Sequence, residues 1–421
     1  MTGAPEKVTE CPAADGDLPA PFGRASTCSP WAEYARMRSE GGITRVELRP
    51  GLRPWVVTGY RLARAVLGDP RMTTDAGRTT DEVRAAILAG RPEERLNLIG
   101  RNLLTVGGAD HERLRRLVSS ALSAQRVAGM ESWIRGSADR LLDGLAGREV
   151  IDLLGDYTVP LAVEVVCRLI GIPEEQHGQF SDWGRALIRD ECHSPEAFEA
   201  VCTDMLDRFL PVLDDRLADS KDDLLSLLAK ARHEGRVDDY ELISITYQLF
   251  FAGHETTAHF IANAILVLLN HPVERAAAVA DPQVLAATVE ELLRLEGSVK
   301  VTVWRFPTAP VDIGDQTIMP GEPVLTVLSS ANRDEEVIPE AERFLPGRRS
   351  ATHLAFGYGS HHCLGAPLGR LEARIGLGRL LTRFPQLALA EPGREPNWRL
   401  NLLMRGVTDL PVRLGPPSDG I

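Results

Sequence analysis

Lysine is almost missing from this 421-residue chain. Only Lys7, Lys221, Lys230 and Lys300 stand among 47 basic residues, and the rest are arginine. That skew follows from GC-rich coding as readily as from chemistry and carries no function. Basic charge as a whole is also short: 59 acidic residues leave a net charge of −12. A nucleic-acid binder would show the opposite excess, or a basic stripe. The six cysteines, at 11, 28, 167, 192, 202 and 363, form no CxxC pair, which argues against a zinc site. In a reducing compartment such thiols pack as small hydrophobes. No long apolar run survives either: Leu242 to Leu269, the most apolar stretch, is interrupted by His254, Glu255, Thr256, Thr257 and His259. A membrane span is therefore not expected. The first residues lack the zones of a signal peptide, so the expectation is a soluble, cytoplasmic protein.

What is present is an ordinary globular balance, 44% hydrophobic and 25% charged. A chain of this length can bury a large core without disulfides. Residues 1–30, rich in Pro, Ala, Gly and Asp, read as a mobile lead-in, and no linker divides 31–421, which is expected to form a single domain. Residues 43–60 predict a hairpin around Pro50-Gly51. Helical spacing covers 61–68, 111–146, Val159–Ile170, Ala197–Leu217, a long helix capped by Asp238 or Asp239 and running to about Asn270, Val284–Leu295 and Gly365–Phe384. Between 299 and 328, β-branched residues and turn signals predict short strands. The fold class is mainly α with a minor β portion.

Four segments carry chemistry. The sharpest is Phe356-Gly357-Tyr358-Gly359-Ser360-His361-His362-Cys363-Leu364-Gly365, ahead of a helix. The pattern Phe-x-x-Gly-x-x-x-Cys-x-Gly arises by chance about once in 1,000 chains of this composition. Glycines at 357, 359 and 365 allow positive-φ turns and close approach to a flat ligand. A cysteine at a helix mouth has its thiolate stabilised by the dipole and the free amides. Such a thiolate is an iron ligand. The second segment is Ala252-Gly253-His254-Glu255-Thr256-Thr257, inside the longest helix. A glycine there costs about 1 kcal/mol and wants a reason. The Thr256 hydroxyl can bond the Ala252 carbonyl, and with Gly253 beside it would leave room for a diatomic ligand and water. A core helix with a tolerated glycine is the plainer alternative. The third, Glu291-Leu292-Leu293-Arg294, sets opposite charges three apart on one helix face, which is also what an exposed ion pair looks like. The fourth, His111-Glu112-Arg113-Leu114-Arg115, places His111 and Arg115 one turn apart, as any basic amphipathic helix start does.

Taken together, in this order, these segments resemble the cytochromes P-450, the haem-thiolate monooxygenases, from about residue 30 to the C-terminus. The likeness is greatest to soluble bacterial members that tailor polyketides, macrolides and peptides. The resemblance implies the P-450 fold, with a single large helical domain and small sheets. It also implies one non-covalent haem b, with Cys363 as the iron ligand, Phe356 packed over the sulfur, and Gly357, Gly365 and Ala252 against the cofactor. His111, Arg115, Arg305 and His361 would hold the propionates, four donors for two carboxylates. Thr256 would hydrogen-bond the bound dioxygen and Glu255 would relay protons from solvent, general acid work through positioned water. Glu291 and Arg294 would form a buried pair joined by Arg343 of Arg343-Phe344, although Ala341 stands where the family usually has proline.

No flavin or iron–sulfur motif occurs in the chain, so electrons from NAD(P)H would arrive through a separate ferredoxin reductase and ferredoxin. The chain is taken as a monomer that meets dioxygen and a small-molecule substrate, with no nucleic acid and no membrane. The expected reaction is hydroxylation or epoxidation of a bulky, largely apolar secondary metabolite. Oxidative coupling or desaturation uses the same cofactor, and a non-catalytic haem binder would not need Glu255-Thr256. The substrate pocket would draw on 71–103, 171–196, the start of the long helix, 298–304 and the turn near 400–404, with Leu249, Val299, Val301 and Val303 as lining. The segment 71–103 could serve as a lid. Strand alternation puts Val301 and Val303 on the side of Arg305, and turns Lys300 and Thr302 away, towards the protein body or solvent, unless a bulge intervenes.

Overall fold

The computed structural model describes residues 22–23, 28–88, 102–188, 195–348 and 352–418. Most of the lead-in, Cys11, Cys192, the stretch 89–101 of the expected lid and 189–194 of the expected pocket lie outside them, as does the side chain of Cys202.

The centre of the molecule is the 31-residue helix Asp239–Leu269. It begins where Asp238, in extended conformation, accepts the Glu241 amide at 2.7 Å, which satisfies one of the free donors of the first turn. Its residues are apolar almost all round, which demands burial on several sides. Helices Val159–Ile170, Pro282–Glu296 and Ala366–Arg383 supply that cover. Val159–Ile170 stops where its periodicity predicts, at Gly171 in the left-handed region with φ 95°. The helical spacing expected over 111–146 is carried by three helices, Gly108–Ser119, Ala124–Gly129 and Glu131–Leu145, and Ser123 caps the second by accepting the Arg126 amide. Among the described residues no helix is long and apolar enough to cross a membrane.

The β portion is small. Ile43–Arg45 and Trp55–Val57 form the expected antiparallel hairpin, in register Ile43 to Val57. Trp55–Val57 then takes a parallel partner from far along the chain, Val324–Thr326, in register Trp55 to Val324. Hairpin Val311–Ile313 with Gln316–Ile318 turns through Gly314 at φ 58°, as its Gly-Asp signal predicts. Strand Pro411–Arg413 pairs on both sides, with Val150–Asp152 and Ala388–Leu389.

The segment 299–305 departs from a regular strand twice. Lys300 and Val301 both donate their amides to one carbonyl, Leu403 O, at 2.9 and 3.2 Å. Further on, Val301 faces Val327 and Arg305 faces Val324, so four steps on one side meet three on the other. An extra residue of this kind is a bulge, and it reverses the faces beyond it. Val301 is therefore not on the side of Arg305. It is 1% exposed in the sheet core with Val56, Leu325 and Val327. That corrects the assignment of Val301 to the pocket. Lys300 is buried in the protein body, one of the two places expected for it, and Thr302 uses its hydroxyl to accept the Thr326 amide. Val299 and Val303 remain half-buried.

Candidate active site around Cys363

The loop before Ala366–Arg383 folds back on itself: the Cys363 amide donates to Phe356 O at 2.9 Å. Gly357 and Gly359 sit at φ 71° and 76°. At residue 359 glycine is also forced by contact, since a Cβ would fall 2.2 Å from Leu67 O. Gly365 differs from expectation. Its φ of −79° suits any residue, and a Cβ there would make an ordinary 3.8 Å contact with Cys363 Sγ.

Cys363 combines two properties that rarely coincide. Its thiol lies deep enough that desolvation pushes its pKa up, yet the residue is accessible at its surface. A side chain that is deep and open faces an internal opening. Amide donors at Gly365 and Ala366, and the charges of Arg115 and Arg370, act in the other direction and favour the thiolate. Cys167, by contrast, is fully buried, and its thiol is pushed far up by desolvation. Phe356 lies under the guanidinium of Arg370, 4.4 Å from ring to charge, and Arg370 is held by both oxygens of Glu290.

Four donors gather at one edge of this opening. His111 and His361 stack at 4.0 Å, and His361 Nδ1 meets Leu103 O at 3.2 Å. Arg305 is 3% exposed and donates to Met72 O at 3.4 Å, while Arg115 donates to His362 O at 2.7 Å. Burial, then the charges of Arg305, His111 and Arg115, drive the His361 pKa down to about 3. Burial likewise lowers Arg305, to about 10. His111 Nε2 and Arg305 Nε are buried with no partner among the described residues. Uncompensated cations and orphaned donors in a buried cluster destabilise it unless an anion completes them. The donor set fits the carboxylates of haem, and the thiol fits its iron.

Along the middle of the long helix, Leu249, Ala252, Gly253 and Thr256 are only half-buried, at helical spacing, with Phe251 and Glu255 half-buried beside them. Thr256 Oγ1 donates to Ala252 O at 2.7 Å, as expected. The role of Gly253 differs from expectation. A Cβ there would fall 2.5 Å from Val166 Cγ2, so this glycine admits the neighbouring helix. Glu255 lies in a cluster that sequence reasoning passed over. Arg399 donates to its Oε1, His259 Nε2 is 3.3 Å from the same oxygen, and His254 Nε2 is 3.8 Å from Oε2. Burial pushes the Glu255 pKa up, but the His259 hydrogen bond and the charges of His259, Arg399 and His254 outweigh it and hold it at about 2. The spacing of Glu255 and His259, one helical turn apart, was the available signal.

Glu291 and Arg294 make a two-pronged pair at 2.7 and 2.8 Å, with side chains 3% and 1% exposed. Arg294 also donates to the carbonyls of Asn332, Ala341 and Arg343. The third partner is Arg348, whose Nε donates to Glu291 Oε1 at 2.8 Å. Arg343 contributes only its carbonyl. Its guanidinium is 65% exposed and pairs with Glu340, so the expected role of its side chain is corrected. The physical reason is the turn at Gly347, φ 89°, which brings the chain back after Leu345 donates its amide to Glu291.

The cytochrome P450 family model matches residues 195–405. Cytochrome P450 107B1 of Saccharopolyspora erythraea is 39% identical over 385 residues, which is 91% of this chain and 94% of that protein. The mycinamicin IV hydroxylase/epoxidase of Micromonospora griseorubida is 33% identical over 90% of this chain and 94% of its own length. Among solved structures, the cytochrome P450 enzyme CxnD for C–S bond formation in chuangxinmycin biosynthesis superposes with a TM-score of 0.85 at 32% identity, covering 92% of this chain and 95% of that one. The chain belongs to the cytochrome P450 family and is an oxidoreductase of the monooxygenase type.

Proposed function

We propose that this enzyme inserts one oxygen atom, by hydroxylation or epoxidation, into a bulky, largely apolar secondary metabolite. Electrons come from NAD(P)H through a separate ferredoxin reductase and ferredoxin. The observation that carries the reading is the half-buried row Leu249, Ala252, Gly253 and Thr256, apolar along its length and ending in a hydroxyl beside an ionised acid. Cys363, His111, Arg115, Arg305 and His361 would hold haem, which would supply the iron chemistry that activates dioxygen.

The chain's own residues do the rest. The amides of Gly365 and Ala366, with the charge of Arg115, favour the thiolate of Cys363 against the burial that pushes its pKa up. Thr256, with its hydroxyl proton committed to Ala252 O, presents its lone pairs to a water. Glu255, one residue away, takes a proton from the solvent side and passes it to that water. Leu249, Val299 and Val303 offer apolar walls that exclude bulk water and orient the substrate. Glu291, Arg294 and Arg348 hold the loop's surroundings and touch no reactant. The same reading takes 31–421 as one domain of a cytoplasmic monomer.

A second reading has support in the structural likeness to an enzyme that forms a C–S bond: oxidative coupling without oxygen insertion. One experiment separates the two. Candidate polyketides, macrolides and peptides are turned over under labelled dioxygen with added ferredoxin and reductase. Label in the product supports insertion, and loss of two hydrogens without label supports coupling. Thr256→Ala should bind substrate but yield less product per NAD(P)H, the remainder appearing as peroxide or water. A ratio equal to the parent's would remove Thr256 from proton delivery.

A further inference from the structure

The carboxylate of Glu255 is tied to a turn on a distant part of the chain. Arg399 donates to Glu255 Oε1, and its Nη1 also stands 2.8 Å from His259 Nε2. The turn that follows is closed on itself and tied to the long helix directly through Asn263 and indirectly through Ser298. Arg399 N donates to Gly406 O at 2.9 Å, Asn263 Nδ2 to Arg405 O at 3.1 Å, and Arg405 N to Ser298 O at 2.7 Å. Ser298 Oγ in turn donates to Thr256 O at 2.7 Å. Gly406 lies so close to His259 that a Cβ would fall 2.3 Å from Nδ1. The tip is built by Asn401, whose Oδ1 accepts the amides of Leu403 and Met404, both at 2.9 Å. Leu402 and Leu403, on this tip, pack half-buried with Trp304 beside the sheet core.

His259 Nε2 cannot serve both neighbours at once. Arginine is always a donor, so the contact with Arg399 requires a lone pair on Nε2 and a proton on Nδ1, which has no partner among the described residues. Donation from Nε2 to Glu255 requires the other tautomer. His254 is fixed by its Nδ1 contact with Phe250 O at 2.8 Å, and its Nε2 stands 3.8 Å from Glu255 Oε2. His254, His259 and Arg399 are the charged or titratable groups that bear on this carboxylate. The cluster therefore has two exclusive hydrogen-bonded arrangements, and Arg399 selects between them.

We propose that Arg399 is a positioning residue for proton delivery: it clamps Glu255 to the turn 399–406, and a ligand seated against Leu402 and Leu403 on that turn sets how readily the clamp releases. The inference rests on Glu255 being the proton relay. Its support is geometric, in that one short turn carries both the cation on the acid and the half-buried apolar side chains Leu402 and Leu403.

The test uses the haem-loaded protein with Arg399→Gln, Arg399→Lys and Glu255→Gln. The first readout is peroxide formed per NAD(P)H as a function of pH. Without Arg399 a buried carboxylate takes up its proton at higher pH, so the profile of Arg399→Gln should move upward by about one unit or more. Lysine keeps the charge but cannot reach both acceptors, and its profile should fall between. The second readout is hydrogen exchange of the amides of 399–406 with and without 4-phenylimidazole as pocket probe. The probe should change that exchange in the parent and not in Arg399→Gln. Parental behaviour of Arg399→Gln in both readouts, with Glu255→Gln altered, overturns the clamp. A parental profile in Glu255→Gln as well overturns the relay itself. If Arg399→Gln yields no folded protein, Arg399→Lys decides alone: a shifted profile supports the clamp and a parental one overturns it.

Discussion

Gly253 and Val166 face each other so closely that residue 253 has no room for a side chain: a Cβ would fall 2.5 Å from Val166 Cγ2. Exposed in a helix, Gly→Ala would gain about 1 kcal/mol. Here overpacking costs about 1–3 kcal/mol and wins. Gly253→Ala should therefore lower the melting temperature, and should cease to do so in a Val166→Ala background. Equal effects of Gly253→Ala in both backgrounds would show that the two helices do not meet there.

Reduced protein under carbon monoxide should show the red-shifted Soret band of a thiolate-bound haem. Cys363→Ser should lose it. Cys167→Ser should keep it, because that thiol is closed off in the core. A persistent band in Cys363→Ser would exclude Cys363 as the ligand.

The two arginines near Glu291 should behave oppositely to what their order in the chain suggests. Arg343→Ala, at an exposed guanidinium, should change stability by no more than about 0.5 kcal/mol. Arg294→Ala leaves Glu291 buried with too little charge opposite it, a loss of about 3–5 kcal/mol, and should give little soluble haem-loaded protein. Arg348→Ala should also lower stability, since Arg348 is the second cation on the same carboxylate. Denaturant unfolding of the three variants checks the order, and a larger loss in Arg343→Ala than in Arg348→Ala would restore the first assignment.

Bulky replacements on the segment 299–305 should divide by face. Val301→Phe overfills the sheet core and should cost about 1–3 kcal/mol in stability. Val303→Phe should leave stability nearly intact and change the spectral titration with substrate. The reverse pattern would place the bulge elsewhere.

Glu290 accepts from Arg370 at 2.7 Å and meets His353 Nε2 at 3.1 Å. Burial raises its pKa, but these two partners prevail and hold it at about 2. A carboxyl depressed in the folded state adds stability above its unfolded value, and that stability is lost as pH falls towards the folded one. Glu290→Gln should therefore flatten the fall in melting temperature between about pH 4.5 and 2. An acid limb as steep as the parent's would mean that Arg370 and His353 do not act on it.

Local rules made much of this protein legible in its residues. The Gly-rich loop with Cys363, the caps at Asp238 and Gly171, the hairpin turns at Gly51 and Gly314, and the hydroxyl of Thr256 four residues after Ala252 all depend on neighbours within one turn or one strand. Such interactions have fixed spacing, so a pattern in sequence identifies them. What the tertiary structure decided involves partners far apart in the chain, whose meeting depends on how elements pack. Arg348 rather than Arg343 reaches Glu291 because a turn at Gly347 brings it back. Gly253 is small for the sake of Val166, 87 residues earlier. Val301 faces the core because a bulge reverses the alternation that a regular strand would keep. Arg399 meets Glu255 across 144 residues. Only packing, which is set by shape and total burial rather than by sequence spacing, brings these groups within reach of one another.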